Sequence, residues 1–243
     1  MIQDNSVYNN ETAIYIRISS VYIIRPAQKQ PMSLPKLIAG QLKQPSGIVG
    51  HLFMGPLWNR RNSALNDAAF DTLALSAQDR VLEVGFGGGY LLGRISNVVT
   101  DGLLAGVDAS TAMVSSCQRR YRSLIQKGAI EVSCARAESL PYPAGHFTRV
   151  CSVNSIFYWQ NAAQAIAEFS RVLASGGLLV LCFTCKESLA TRGFARHGLI
   201  LYDGEEVQSM MERAGFRNVQ AVLSSDQHRG FLCMSGQNGP VPV

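Results

Sequence analysis

Residues 81–90 read V-L-E-V-G-F-G-G-G-Y, and this stretch decides the fold. It begins with an apolar run containing two β-branched residues, which predicts a strand buried on both faces. Four glycines then follow within five residues, and apolar residues resume after Tyr90. Glycine is needed where the backbone takes a positive φ or lies directly against a ligand. The pattern therefore predicts a strand, a tight cofactor-binding turn and a helix.

Three kinds of glycine loop compete for this stretch. A dinucleotide loop of the form G-x-G-x-x-G fails, because the sixth position counted from Gly85 is Tyr90. A phosphate-binding P-loop fails because the stretch contains no lysine. What remains is E-x-G-x-G-x-G, formed by Glu83, Gly85, Gly87 and Gly89. This pattern resembles the first motif of class I S-adenosylmethionine-dependent methyltransferases, in which the loop wraps the amino-acid part of the cofactor.

Composition limits the other possibilities. A chain of 243 residues with 47% apolar and 16% charged residues suits one α/β domain with additions. The net charge of +5 comes from scattered basic residues, which indicates a solvated surface and no nucleic-acid partner. Six cysteines lie mostly in apolar runs, which is typical of buried thiols in a cytoplasmic protein. Cys182 and Cys185 have C-x-x-C spacing without a second pair, so we expect no metal site.

The first 31 residues do not share the pattern of the rest. They alternate like a strand in places but show no nearby partner strand, and Arg17 interrupts a run too short to span a membrane. Asp4 and Glu11 argue against a signal peptide, and Met32 is a credible alternative start. We expect residues 1–31 to form a peripheral extension.

Residues 32–75 are expected to form an N-terminal cap. Their last part, 62–75, has the apolar spacing of an amphipathic helix. The resemblance implies that this segment folds over cofactor and substrate, with Trp58 as a substrate-binding candidate. The alternative is that the helix simply packs on the sheet.

A carboxylate ends the second predicted strand. Asp108 lies about twenty residues after the glycines, where a ribose diol is held by an acidic side chain in adenosine-binding folds. A purely structural role as a helix cap is less expected, because Ser110 already suits the N-cap of the next helix. That helix is predicted to carry Tyr121 on its apolar face and to stop at Gly128.

Residues 135–147 carry the second decisive pattern, A-R-A-E-S-L-P-Y-P-A-G-H-F. It resembles the D-A-x-x-L-P-F-x-x-x-x-F-D motif of small-molecule methyltransferases, the branch that includes ubiquinone- and menaquinone-biosynthesis enzymes. Two residues depart from the motif: Arg136 replaces an aspartate that accepts from adenine, and Thr148 replaces the last aspartate. The resemblance leaves the backbone of Ala137 and the side chain of Glu138 to contact adenine.

Three aromatic residues in a row, Phe157, Tyr158 and Trp159, follow the fourth predicted strand. The resemblance places this segment beside the transferring methyl group, where aromatic faces attract a sulfonium cation and exclude water. The alternative is that Phe157 or Trp159 packs under the next helix, and we expect one of the three to do so. Farther on, R-V-L-A-S-G-G at 171–177 is similar to another family motif, with Ser175 in place of proline.

The expected fold class is α/β: a Rossmann-like three-layer sandwich with a seven-stranded, mostly parallel sheet, an antiparallel last strand and an N-terminal helical cap. The methyltransferase domain is expected at 76–236 and a loose tail at 237–243. The resemblance implies cofactor contacts from Glu83, Gly85, Phe86, Gly87, Gly89, Asp108, Ala109, Met113, Ala137, Glu138 and Asn154. It implies substrate contacts from Trp58, Phe157, Tyr158 and Trp159.

The expected activity is methyl transfer from S-adenosylmethionine to a small molecule by a monomer or homodimer that has no membrane span. Loss of the methyl group converts S-adenosylmethionine to S-adenosylhomocysteine. His197 and Tyr158 are the catalytic candidates, since an imidazole suits proton removal near neutral pH. The alternative is a cofactor-binding protein without transferase activity, which the Arg136 substitution favours. A dinucleotide oxidoreductase is disfavoured by Tyr90.

Overall fold

The computed structural model describes residues 7–10, 13–18, 21–25, 62–190, 199–227 and 229–239. In chain order the strands are β1 (Val7–Asn10), β2 (Ala13–Ile18), β3 (Val21–Arg25), β4 (Arg80–Val84), β5 (Leu103–Asp108), β6 (Glu131–Cys134), β7 (Phe147–Val153), β8 (Leu173–Thr184), β9 (Phe216–Ser225) and β10 (Gly230–Asn238). The helices are α1 (Ser63–Leu73), α2 (Tyr90–Ile95), α3 (Thr111–Arg120), α4 (Arg122–Gln126), α5 (Ala162–Val172), α6 (Lys186–Ala190) and α7 (Gly204–Arg213). A 3₁₀ turn spans Ile156–Tyr158.

One sheet holds all of these strands in the order β1-β2-β3-β9-β10-β8-β7-β4-β5-β6. Its seven strands from β4 onward form the predicted unit. Parallel pairing joins β6, β5, β4, β7 and β8, and β10 runs antiparallel between β8 and β9. Six strands therefore run in one direction and the last strand opposes them, which confirms the predicted sheet.

The N-terminal segment adds three strands to the β9 edge. β1, β2 and β3 form an antiparallel meander, and β3 pairs in parallel with β9 through Ile23 and Leu223. The expectation that this segment has no nearby partner strand is therefore wrong, because β2 pairs with both β1 and β3. The pairing of β3 with β9, in contrast, joins residues about 200 positions apart in the chain. Such a pairing depends on tertiary structure rather than on any nearby turn signal.

Two apolar cores cover the sheet and make three layers. One face packs Leu82 and Val84 with the apolar sides of α5 and α7. The other face packs Val81 with α1, α2 and α3. Because side chains alternate along a strand, consecutive residues of β4 serve opposite cores. This is why the strand is apolar on both sides, as its sequence predicts.

The described part of the predicted cap is α1, and it packs on the sheet. Leu65, Ala69 and Leu73 are fully buried in the core that also contains residues of β8 and β10. Residues 32–61, and with them Trp58, lie outside the described residues. The helix predicted at 62–75 is thus present as α1. It packs on the sheet, which was the alternative considered for this helix.

The helix predicted between Ser110 and Gly128 is divided. Ser110 does cap it, by accepting from the backbone N–H of Met113 at 3.4 Å. The chain then breaks at Tyr121, whose φ of −107° and ψ of 24° separate α3 from α4. Gly128 ends the second piece with a φ of +73°. The break places the Tyr121 ring against the glycine loop rather than along a continuous helix face.

Thr148, which replaces the last aspartate of the family motif, has a structural role at the start of β7. Thr148 donates its hydroxyl to Asp79 Oδ1 at 2.6 Å and accepts from the backbone N–H of Arg80 at 3.0 Å. Asp79 also accepts from the backbone and hydroxyl of Ser76. These hydrogen bonds lower the pKa of Asp79 against the effect of burial. Asp79, in the turn before β4, therefore supplies a carboxylate beside Thr148, the residue that replaces the last aspartate of the family motif.

The cysteines correct one expectation. Cys182 on β8 lies opposite Cys233 on β10, and the two form a disulfide, not a pair of free thiols. Cys117, Cys151 and Cys185 are free and buried, whereas Cys134, which was also expected to be a buried thiol, is exposed. Within the described residues, no helix is both long and apolar enough to cross a membrane.

Candidate active site

The predicted site residues converge at one edge of the sheet. The glycine loop joins β4 to α2, Asp108 ends β5, the 135–146 loop follows β6, and Asn154 follows β7. Parallel strands bring their carboxyl ends to the same edge, and β4 and β7 are neighbours where the strand order reverses. Ligands of open α/β sheets bind at this topological switch point.

Three glycines give the loop its shape. Gly85, Gly87 and Gly89 have φ values of +76°, +52° and +69°, a region that residues with a side chain rarely adopt. A Cβ on Gly85 would lie 2.7 Å from the Cβ and Oγ of Ser155, so this glycine is also required by close packing. A Cβ on Gly87 would meet nothing within 4 Å. The open space at Gly87 is where a ligand can approach the backbone.

Glu83 is a buried carboxylate beneath this loop. It is 3% exposed, and its Oε2 atom has no hydrogen-bond partner among the described residues. Burial, together with the nearby charge of Asp108, raises the pKa of Glu83 to about 8, although the backbone N–H of Leu92 opposes the shift. An unpaired buried oxygen is costly unless a ligand pairs with it. The cationic ammonium group of an amino acid is a suitable partner.

Asp108 holds the glycine loop and begins the next turn. Its Oδ2 accepts from the backbone N–H of Gly87 at 2.9 Å, and its Oδ1 accepts from that of Ser110 at 2.9 Å. Burial raises the pKa of Asp108, against the lowering effect of these two donors. Each carboxylate oxygen has a second lone pair, so Asp108 retains the acceptors that a ribose diol needs.

The loop after β6 is fixed by α5. Glu138 Oε1 accepts from the backbone N–H groups of Gln160 and Asn161 at 2.6 and 3.2 Å, and its Oε2 lies 3.5 Å from Arg136 Nε. Most of the acceptor capacity of Glu138 is therefore used within the protein. Ala137 is buried in the core, which leaves its backbone as the part suited to a ligand.

A second clamp on this loop comes from the R-V-L motif. Arg171 donates to the carbonyl oxygens of Leu140 and Tyr142 at 3.1 and 2.8 Å. Glu168 accepts from the backbone N–H of Leu140 at 2.9 Å and pairs with Arg171 at 2.7 Å. Two motifs that are about thirty residues apart in the sequence are thus parts of one hydrogen-bonded unit. Sequence similarity identified both motifs but not their connection.

Asn154 is the hub of a polar cluster at the end of β7. Its φ is +57°, and its Oδ1 accepts from the N–H and hydroxyl of Thr184 at 3.1 and 2.9 Å. Its Nδ2 donates to Asn62 Oδ1 at 3.4 Å, and Arg229 Nη2 donates to the same oxygen. The side chain therefore ties the ends of β7 and β8 to the start of α1. Asn62, Thr184 and Arg229 carry no sequence signal that would have identified them.

The aromatic segment divides between core and surface. Phe157 is 4% exposed and lies edge-on to Phe183, with ring centroids 6.4 Å apart. Trp159 is 7% exposed and lies edge-on to Phe169 at 5.3 Å. Tyr158, at 54% exposure, is the member of the three that faces solvent. Two of the three pack into the core, where one had been expected.

The remaining candidates are placed as follows. Phe86 is buried beside Gly106 of β5, so only its backbone faces the loop. Ala109 is exposed next to Asp108, and Met113 is partly buried in the first turn of α3. His197 lies outside the described residues.

These groups fit S-adenosylmethionine. The glycine loop leaves room for close backbone approach, Glu83 supplies an unpaired acceptor for the ammonium group, and Asp108 supplies acceptors for the ribose. The part of the site expected to bind adenine lacks the acidic acceptor of the family motif. Arg136 occupies the position of that acceptor and pairs with Glu138. The fit is therefore strongest for the amino-acid and ribose parts of the cofactor.

Comparison with known proteins agrees with this fit. Residues 82–181 match the protein family described as Methyltransferase domain. The chain is 28% identical over 177 residues to the uncharacterized methyltransferase YdaC of Bacillus subtilis (strain 168), and the match covers 71% of this chain and 94% of that protein. It is also 28% identical over 143 residues to 2-methyl-6-phytyl-1,4-hydroquinone methyltransferase 1, chloroplastic, of Oryza sativa subsp. japonica, covering 58% of this chain and 42% of that one.

Among solved structures, the fold is similar to that of geranyl diphosphate C-methyltransferase from Streptomyces coelicolor A3(2) in complex with Mg²⁺, geranyl diphosphate and S-adenosyl-L-homocysteine. The TM-score is 0.64 at 16% identity, and the match covers 82% of this chain and 87% of that one. At this identity the likeness shows the fold.

Proposed function

Since the chain belongs to the class I S-adenosylmethionine-dependent methyltransferases, we propose that it transfers a methyl group from S-adenosylmethionine to a small-molecule acceptor. The observation that carries this proposal is the pair of carboxylates at the switch point of the sheet. Glu83 has an unpaired buried oxygen below a loop of left-handed glycines, and Asp108 lies at the end of the neighbouring strand. A phosphate group needs hydrogen-bond donors or cations, whereas the carboxyl groups of Glu83 and Asp108 supply acceptor oxygens, which suit an ammonium group and a ribose diol.

The protein's contribution to the reaction is to position the reactants and exclude water. When bound, the cofactor supplies an electrophilic methyl group on a positively charged sulfur. The glycine loop and Glu83 hold its amino-acid part, and Asp108 holds its ribose. Holding the acceptor in line with the methyl carbon provides much of the rate enhancement in such a transfer. Tyr158, which is exposed after the end of β7, offers an aromatic surface to the acceptor.

We propose that the acceptor is a quinone-like, lipid-like or other secondary metabolite and that the methylation is a step of its biosynthesis. Tyr158, the exposed aromatic residue of the 156–159 segment, supports this class. The similar rice protein is named as a 2-methyl-6-phytyl-1,4-hydroquinone methyltransferase, which also supports this class.

His197 is the proposed general base, assisted by Tyr158. A base is required only when the acceptor is a hydroxyl or a carbon acid. His197→Ala should then lower kcat by about 10²–10⁴-fold with unchanged cofactor affinity. Near-normal turnover of this variant would remove the role and favour an amine acceptor or catalysis by positioning alone.

Cofactor binding is tested first by calorimetric titration of the full chain with S-adenosylhomocysteine and with NAD. We expect binding of the first and none of the second. Binding of NAD without a response to S-adenosylhomocysteine would overturn the proposal. The acceptor is then sought by incubating the protein with S-adenosylmethionine and metabolite fractions, followed by mass spectrometry for products heavier by one methylene.

A second function is favoured by one observation. Arg136 stands where the family motif has an acidic acceptor for adenine, and it is paired with Glu138. A protein that binds the cofactor without transferring its methyl group would tolerate such a change. Binding of S-adenosylhomocysteine combined with no methylated product from any fraction would support this alternative.

A further inference from the structure

The last turn of α3 contacts the glycine loop through two side chains. Tyr121 donates its hydroxyl to the carbonyl oxygen of Gly89 at 2.7 Å. Arg120 Nη1 donates to the carbonyl oxygen of Gly88 at 3.0 Å and lies over the Tyr121 ring at 5.3 Å. Two successive loop carbonyls are therefore held from one helix, on the side of the loop that α3 occupies.

The glycines of α2 make room for this contact. A Cβ on Gly89 would lie 3.0 Å from both Cys117 Sγ and Tyr121 Cε2. A Cβ on Gly93, inside α2, would overlap the Tyr121 hydroxyl and lie 3.0 Å from its Cζ. Glycine is among the least favourable residues for a helix interior. Its presence at Gly93 is explained by the tyrosine that packs against it.

The same helix begins at the other half of the cofactor site. Its N-cap, Ser110, donates its backbone N–H to Asp108, and its C-terminal end reaches Gly88 and Gly89. A ten-residue helix is a rigid spacer about 15 Å long. The two ends of α3 therefore contact the two parts of the proposed cofactor site, Asp108 at the N-terminal end and the carbonyl groups of the glycine loop at the C-terminal end.

We infer that Tyr121 is a positioning residue that fixes the glycine loop in the conformation that receives the amino-acid part of the cofactor. The inference rests on the proposed function. Tyr121 acts through the backbone of Gly89, and Arg120 assists through the backbone of Gly88. The disulfide, the Asn154 cluster and the α5 clamp lie elsewhere and have no part in this contact.

The test compares two ligands on Tyr121→Phe, which removes the hydroxyl and retains the ring. S-adenosylhomocysteine carries the amino-acid part, whereas 5′-methylthioadenosine lacks it. Calorimetry should show affinity for S-adenosylhomocysteine lowered by about 3- to 10-fold, the equivalent of one lost hydrogen bond. Affinity for 5′-methylthioadenosine should be unchanged. A merely structural role would lower both affinities equally, or neither, and either result would overturn the inference.

Two exposed neighbours provide a matched control. Arg120→Gln should weaken S-adenosylhomocysteine binding in the same ligand-selective way, and Arg119→Gln should not, because Arg119 is an exposed arginine one position away from the contact. Equal effects of the two variants would assign the loss to general charge rather than to the loop.

A ligand-free cycle separates the inference from the proposed function. Gly93→Ala should lower the melting temperature of the wild type, where the new methyl group overlaps Tyr121. In a Tyr121→Leu background the same change should raise it, because alanine is the better helix former. A change of melting temperature of the same sign in both backgrounds would contradict the packing of Tyr121 against Gly93, on which the inference depends. Failure of the wild type to bind S-adenosylhomocysteine, with the sign reversal present, would instead reject the proposed function.

Discussion

Asp108 combines an observed role in the structure of the glycine loop with a proposed role in cofactor binding. It accepts from the backbone N–H groups of Gly87 and Ser110, and we assign the ribose diol to its remaining lone pairs. Asp108→Ala should weaken S-adenosylhomocysteine binding by about 1–3 kcal/mol, since the ribose hydroxyls and two loop donors lose their acceptor. Calorimetric titration measures this loss, and circular dichroism checks that the fold is intact. Unchanged affinity with a lower melting temperature would mark Asp108 as a structural cap.

Glu83 predicts a pH dependence of stability. Its pKa is about 4.5 in the unfolded chain and about 8 in the folded protein, so the folded state holds a proton that the unfolded state has lost between these pH values. The stability that this proton supports is present below about pH 4.5 and is lost as the pH rises to about 8, at up to about 1.4 kcal/mol per pH unit. Glu83→Gln cannot titrate and should flatten this dependence. Urea unfolding at a series of pH values measures the free energy of unfolding of both proteins. The same dependence on pH in both proteins would exclude the raised pKa of Glu83.

At the scale of the element, the β4–loop–α2 unit depends on glycine for two separable reasons. Gly85 and Gly176 share a φ of +76°, but a Cβ would meet Ser155 at 2.7 Å in the first case and nothing within 4 Å in the second. Gly176→Ala should therefore cost about 1–2 kcal/mol of stability through the backbone alone. Gly85→Ala should cost about 1–3 kcal/mol more through the steric overlap, and should abolish cofactor binding.

Chemical denaturation of the two glycine variants, followed by titration with S-adenosylhomocysteine, separates these effects. Equal losses of stability would show that Ser155 yields without cost. Retained binding by Gly85→Ala would show that the loop tolerates a side chain at this position.

At the scale of the whole molecule, a ligand that binds only the folded state raises the stability of the chain. S-adenosylhomocysteine at 100 times its Kd should contribute about 2.7 kcal/mol, which for a chain of this size raises the melting temperature by about 5–10 °C. NAD at the same concentration should leave it unchanged, because the sixth loop position is Tyr90. Differential scanning fluorimetry measures both, with adenosine as a control that lacks the amino-acid part of the cofactor. A larger shift with NAD would reject the cofactor assignment.

Local sequence determined the architecture and the position of the site. The alternation of apolar strands and amphipathic helices predicted six parallel strands and a last antiparallel one, since each element buries its own apolar face. The spacing of Glu83, the loop glycines and Asp108 predicted where the proposed cofactor site lies. A positive φ at a glycine and a carboxylate at the end of a strand are local features, which a short stretch of sequence can reveal.

Tertiary structure decided how the other candidates are used. Glu138 is largely occupied by the start of α5, Phe157 and Trp159 are core residues, and the loop carbonyl of Gly89 is held by Tyr121. The pairing of β3 with β9 and the pairing of Cys182 with Cys233 were equally invisible. All of these are contacts between residues distant in sequence, and their partners are set only when the sheet brings separate segments together. The composition of a segment determines which face it buries, whereas the identity of the group that it meets there is a property of the folded chain.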